Sequence, residues 1–249
     1  RIWTLRKIFR YELRRAVCNK FFLGLLVVCL FFGWQTLNGE VIQGVAHTAP
    51  FSAWSFGYYL AQELPLLSVA LLFFLWNVFS KEARRVNILT AATPVDAGSY
   101  LLVKCGAAVT AWLLLAFGVY TLGTIFLLVL FGPAVSLNDL LLPALISLLP
   151  ALALVLGIGM MAGRLHPALL LVLAPVALAA NLLPLPLEWD LFGATFFSEY
   201  PLTLTQLDPA FDLPAAGWIA KAVYLAVGVG FAALAVHLER KTVLKGLQS

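Results

Sequence analysis

Charge is what this sequence has least of. Lys, Arg, Asp and Glu make up 11% of its 249 residues, against 62% hydrophobic ones, where soluble domains carry about 25% charged and about 45–50% apolar residues. One globular core cannot hide that much apolar surface, so an ordinary soluble domain is excluded, and the mean hydropathy of +0.96 excludes intrinsic disorder as well. Cysteine is scarce too. Cys18, Cys29 and Cys105 are few, odd in number and mostly in apolar runs, which excludes a disulfide scaffold and reads as free thiols. The three histidines, His47, His166 and His237, are scattered, and no H-E-x-x-H or C-x-x-C spacing occurs, so no metal site is expected. No serine–histidine pair, paired acids or metal triad stands at lipid depth, and no G-x-x-x-x-G-K-[ST] loop is present. The chain is therefore expected not to be catalytic on its own, and any ATP-driven work needs a second polypeptide.

What the sequence has in plenty is long apolar runs. A helix needs about 20 apolar residues to cross the bilayer core, and six runs fit: Phe21–Leu37, Trp54–Phe79, Cys105–Phe131, Leu140–Gly163, Ala168–Leu187 and Trp218–Leu238. Glu63 and Pro65 in the second run, and Pro175, Pro184 and Pro186 in the fifth, predict kinks or local unwinding there. An even count puts both termini on one side. Placing them in the cytoplasm assigns it fifteen of the sixteen basic residues, while Glu40, Glu63, Asp139, Glu188, Asp190, Glu199, Asp208 and Asp212 fall on or near the outer side, the asymmetry of the positive-inside rule. The formal net charge of +4 thus serves topology. Basic residues that flank spans and lack interleaved aromatics do not make a nucleic-acid groove. The first span is expected to stay uncleaved, since its basic leader is extended and no A-x-A site follows.

Residues 1–20 repeat apolar groups at helical spacing, with Ile2, Leu5, Phe9, Leu13, Ala16 and Val17 on one arc and Lys7, Arg10 and Arg14 turned away. This predicts a basic amphipathic helix on the inner membrane surface. Glu12 borders the apolar arc, where it either pairs with Arg15 or points to a protein neighbour. The segment Lys81–Lys104 reads as two helical pieces with a break at Thr93-Pro94-Val95-Asp96. Threonine suits an N-cap, proline the first helical position and an acid the third, so a helix is expected to start at Pro94, reach Phe131 and project its first turns beyond the lipid. The piece before it, Lys81–Ala92, is either a docking element or a solvated loop whose arginines enforce topology.

On the outer side, residues 188–217 carry Trp189, Phe192, Phe196, Phe197, Tyr200 and Phe211 among acids. Such a loop either anchors at the interface or folds back to cap the helices. Gly159-x-x-x-Gly163, and Gly228 and Gly230 with Ala232 and Ala233, offer small faces for close packing. Polar residues inside the spans are few, and with Glu63 and Lys221 placed near the outer ends, no charge is expected near the midplane. Coupling to an ion gradient is accordingly disfavoured.

Two segments resemble the membrane subunits of type-2 ABC transporters. LRKIFRYELRRAVCNKFF (Leu5–Phe22) is similar to the family's amphipathic elbow helix, with Arg6, Arg10, Glu12 and Arg14 as its charged residues. FSKEARRVNILTAATPVDAGSYLLVK (Phe79–Lys104) is similar to the segment after the second span, through Glu82, Leu89, Thr93, Pro94, Val95 and Lys104. Where the family often has a glycine soon after the acid, this chain has Ala83, Arg84 and Arg85.

The resemblance implies an all-α membrane protein forming a single transmembrane domain over 1–249. It would comprise the elbow helix (1–20), two spans with an outer loop (21–80), a cytoplasmic coupling helix and the approach to the third span (81–104), spans three to five (105–187), an outer, re-entrant loop (188–217), and a last span with a cytoplasmic tail (218–249). It further implies a multi-pass permease of the cell (plasma or inner) membrane, working beside a second permease subunit, identical or related. ABC ATPase subunits holding ATP and Mg would dock on Glu82, Arg84, Arg85, Ile88, Leu89, Thr93 and Pro94, while this chain itself binds no cofactor. Pathway walls rich in Leu, Val, Ala and Phe suit an amphiphilic or hydrophobic exported cargo: a peptide, lipid or drug. The alternative from another class is an immunity or assembly factor that binds a partner through the aromatic outer loop and needs no ATPase.

Overall fold

A computed structural model describes residues 2–80 and 96–246. In it the chain is all-α, with eight α-helices: α1 (Ile2–Val17), α2 (Lys20–Gly39), α3 (Ala53–Phe79), α4 (Ala97–Phe131), α5 (Leu137–Leu165), α6 (Ala168–Ala179), α7 (Ala194–Thr203) and α8 (Ala215–Gly246). Five of them, α2, α3, α4, α5 and α8, are long and apolar enough to cross a membrane. By helix length and hydropathy this is a multi-pass membrane protein. Val27, Phe31, Phe117, Val129 and Val229 stand exposed on α2, α4 and α8, a costly arrangement in water and the natural one against lipid tails.

The fifth expected span, Ala168–Leu187, is not among those five. Its helix lasts 12 residues and gives way to a 3₁₀ turn at Ala180–Leu182. Pro184 and Pro186 follow, and proline lacks the amide hydrogen and disfavours helix in the residue before it. The short element still carries the chain a long way. Leu170 lies against Gly159 beside Leu72 and Leu75, and Asn181 reaches the carbonyl of Ala61.

The centre of the fold is α3, which packs against α2, α4, α5, α6 and α7 and buries residues around its whole circumference. The unwinding expected at Pro65 does not occur, since α3 runs unbroken from Ala53 to Phe79. Proline at 65 leaves the carbonyl four residues earlier without its helical donor, and that carbonyl, of Ala61, accepts from the Asn181 amide at 3.2 Å. The Trp112 indole from α4 donates to the Leu67 carbonyl at 2.9 Å.

The expected small faces are partly used. A Cβ on Gly157 would stand 2.1 Å from the Gly228 carbonyl oxygen, so α5 and α8 meet backbone to backbone. Gly159 and Gly163 receive Leu75 and Phe79 of α3, while Gly230 faces open space. The three cysteines are free thiols, Cys18 exposed and the others buried.

The bundle has two unlike ends. At one lie the start of α4, the ends of α3, α5 and α8, and helix α1; ion pairs hold it. At the other, aromatic rings of α3 and α7 interlock. We call these the charged end and the aromatic end.

Candidate functional site

The candidate site is built at the charged end. The coupling residues Glu82, Arg84, Arg85, Ile88, Leu89, Thr93 and Pro94 fall in 81–95, outside the described residues. The described chain leaves for that segment at Ser80 and returns at Asp96, both at this end.

Helix α1 has the expected amphipathic form. Arg6, Arg10 and Arg14 are exposed, whereas Leu5, Phe9, Leu13, Ala16 and Val17 are half-buried, with the Phe9 ring over Gly106 of α4. Asn19 joins α1 to α2. Its side-chain oxygen accepts from the Phe22 amide at 2.7 Å while its NH₂ donates to the Arg15 carbonyl at 2.7 Å. One side chain thus caps both helices and fixes the corner between them.

Glu12 makes the expected pair with Arg15 and a second one across to α4. Its carboxylate lies 3.9 Å from Arg15 on its own helix and 3.9 Å from the Lys104 ammonium on α4. Lys104 is only 4% exposed, and its ammonium stands 4.7 Å over the Tyr100 ring. A lysine so buried needs a counter-charge, which α1 supplies. Between them is a small cavity of about 130 Å³, lined by Glu12, Arg15, Asn19, Asn77 and Lys104 among others.

The first turn of α4 is fastened as well. The helix begins at Ala97, not Pro94, because Asp96 is its N-cap: the carboxylate accepts from the Ser99 amide and hydroxyl, each at 3.0 Å. The same carboxylate pairs with Arg240 of α8 at 3.2 Å, and Arg240 fits because Gly98 has no side chain to block it. Slight desolvation pulls the Asp96 carboxyl up, but the Ser99 hydrogen bonds and the Arg240 guanidinium outweigh it and hold it below its ordinary value. Arg164 at the end of α5 pairs with Glu239 at 3.2 Å and donates to the Leu238 carbonyl at 2.8 Å. Arg240 and His237 also stand at one end of an apolar groove of about 630 Å³ between α4, α5 and α8.

At the aromatic end, the loop after α6 folds back onto α3. The Trp54 ring contacts Phe196, Phe197, Tyr200 and Phe211, and its indole donates to the Pro209 carbonyl at 2.9 Å. Lys221 of α8, 7% exposed, donates to the carbonyls of Asp190 and Leu191 at 2.9 and 3.1 Å. Asp208 accepts from the Ala49 amide at 2.9 Å, tying the two loops of this end together.

One expectation is overturned. Glu63 is not near a helix end: it lies within one turn, about 5 Å, of the midpoint of α3 and is 0% exposed. The sequence places it, with Pro65, in the outer half of the second run. A lone acid inside an otherwise uncharged run was the signal available.

Among the described residues no group of three or more His, Cys, Asp or Glu side chains is placed to hold a metal ion. What the charged end can do is mechanical: it joins α1, α4, α5 and α8 through ion pairs. In comparisons with known proteins, no family model, curated protein or solved structure matches this chain.

Proposed function

We propose that this chain is the permease subunit of an ATP-driven transporter of the type-2 ABC kind. It would sit in the cell membrane with both termini in the cytoplasm, beside a second permease, identical or related. ATP hydrolysis would take place on separate ATPase subunits docked on residues 81–95. The observation that carries this reading is the anchorage of α4. The helix starts directly after that segment, runs 35 residues without a break, and is tied near its start to α1 through Glu12 and to α8 through Arg240. A push on residues 81–95 would pass into a rigid rod about 52 Å long and, through the ion pairs, into α1 and α8. Shared rigid elements of this kind transmit rigid-body motion.

An apolar groove between α4, α5 and α8 supports a hydrophobic or amphiphilic cargo, such as a peptide, lipid or drug. The rival reading, a factor that binds a partner through its aromatic loop, has less to work with. Phe192, Phe196 and Phe197 are buried in the chain's own packing.

The test is co-purification from native membranes, comparing wild type with a Glu82→Ala, Arg84→Ala, Arg85→Ala variant whose insertion is checked separately. An ABC ATPase that accompanies the wild type and is lost from the variant is the expected result. No ATPase with either protein, under conditions that preserve membrane complexes, overturns the reading.

A further inference from the structure

Glu63 has a carboxyl in the middle of the bundle, and neither of its oxygens has a hydrogen-bond partner among the described residues. An ionised carboxylate so placed would carry a large desolvation penalty with nothing to offset it. Its neighbours come from three helices. On α3 itself, Tyr59 lies one turn away, but its hydroxyl is spent on the Val119 carbonyl of α4 at 2.8 Å. From α2, Gly33 leaves the space the carboxyl occupies: a Cβ there would stand 3.3 Å from a Glu63 oxygen, 2.8 Å from the Tyr59 hydroxyl and 3.3 Å from Leu122 of α4. Cys29 lies one turn before Gly33 on the same face of α2 and is wholly buried. The titratable groups facing Glu63 are thus Tyr59 and Cys29. From α4 come the Val119 carbonyl, which accepts from Tyr59, and Leu122.

We propose that Glu63 is a membrane-embedded proton-binding site, holding a proton in this packed arrangement and giving it up to water when α2 parts from α3 at Gly33. The packing selects the occupant. A sodium ion needs a shell of oxygens, and an organic cation needs volume. Here no hydroxyl or amide reaches the Glu63 oxygens among the described residues, and neither described cavity is lined by Glu63. A proton needs neither shell nor volume. The wall that opens is α2, because it meets Glu63 through a glycine and turns Val27, Phe31 and Trp34 outward. The site does not rest on the ATPase reading, and it removes the ground on which coupling to a proton gradient was disfavoured.

The test uses the full chain reconstituted in lipid vesicles and read by infrared spectroscopy, in light and heavy water, from acid to alkaline pH. The expected result is a protonated-carboxyl C=O band that is absent in Glu63→Gln, shifts in heavy water and disappears in alkali. A band that ignores both heavy water and alkali would make the proton a fixed structural one, and no such band at any pH would make the group ionised; either overturns the proposal. Should Glu63→Gln fail to fold, dicyclohexylcarbodiimide decides on the wild type. It takes the carboxyl proton on its nitrogen and bonds the carboxyl oxygen to its central carbon, so it reacts with protonated acids in apolar surroundings. Modification of the Glu63 peptide that falls as the pH is raised supports the site. An unmodified peptide, or modification independent of pH, contradicts it.

Discussion

The two ends of this bundle are held by different physics. At the charged end, Glu12–Lys104, Asp96–Arg240 and Arg164–Glu239 join elements distant in sequence. Asp96–Arg240 and Arg164–Glu239 are partly exposed, and such pairs are individually weak, about 0–1 kcal/mol, whereas Glu12–Lys104 holds a buried ammonium. At the aromatic end, Trp54 is wholly buried among four rings, and close packing of that kind resists rearrangement. On the proposed permease reading, the difference assigns the motion to the charged end. The two partly exposed ties can break and reform at small cost, whereas an interlocked ring cluster resists rearrangement.

The comparison is broken most severely by Trp54→Ala. Removing a fully buried indole typically costs about 3–5 kcal/mol, and here it also leaves the Pro209 carbonyl without its donor. Thermal unfolding of the purified protein should show a lowered midpoint, and limited proteolysis should cut the loop between α6 and α8 first. A variant as stable and as resistant as wild type would mean that the ring cluster does not hold the aromatic end.

A smaller effect sharpens the other side. Asp96→Ala removes an N-cap, worth about 1 kcal/mol, and a weak ion pair. The same tie responds to acid. Because the folded Asp96 carboxyl lies below its ordinary value near 3.8, its contribution is complete above that value and is lost as the pH falls through the lower, folded one. Thermal unfolding followed into that acid range should show a decline smaller in Asp96→Ala than in wild type. Equal declines would place the acid sensitivity elsewhere.

Much of this arrangement was legible in the sequence. The runs expected as the first, second, third, fourth and last spans lie wholly within α2, α3, α4, α5 and α8, and the polar and apolar arcs of α1 follow from 3.6-residue spacing alone. Hidden features were those that depend on contacts across the fold. Glu12 and Lys104 lie in different helices, and nothing local says that they meet. The run Ala168–Leu187 has the composition of a span, yet its prolines end the helix after 12 residues. Thr93-Pro94 offered a helix start, and the capping hydrogen bonds go instead to Asp96. The continuity of α3 past Pro65 was hidden too, because Asn181, far along the chain, satisfies the carbonyl that Pro65 leaves free.

The central claim is that the charged end moves and the aromatic end does not when ATP is bound by a partner. Its most direct test is spin-label distance measurement on the ATPase-loaded complex, with Cys18 replaced by serine. One label pair would sit at Lys7 and Lys241 on the charged end, the other at Gln43 and Thr205 on the aromatic end, all four exposed positions. On trapping ATP in the partner, the account predicts a changed Lys7–Lys241 distance and an unchanged Gln43–Thr205 distance. A charged-end distance that ignores ATP, or an aromatic-end distance that shifts as much, would contradict it.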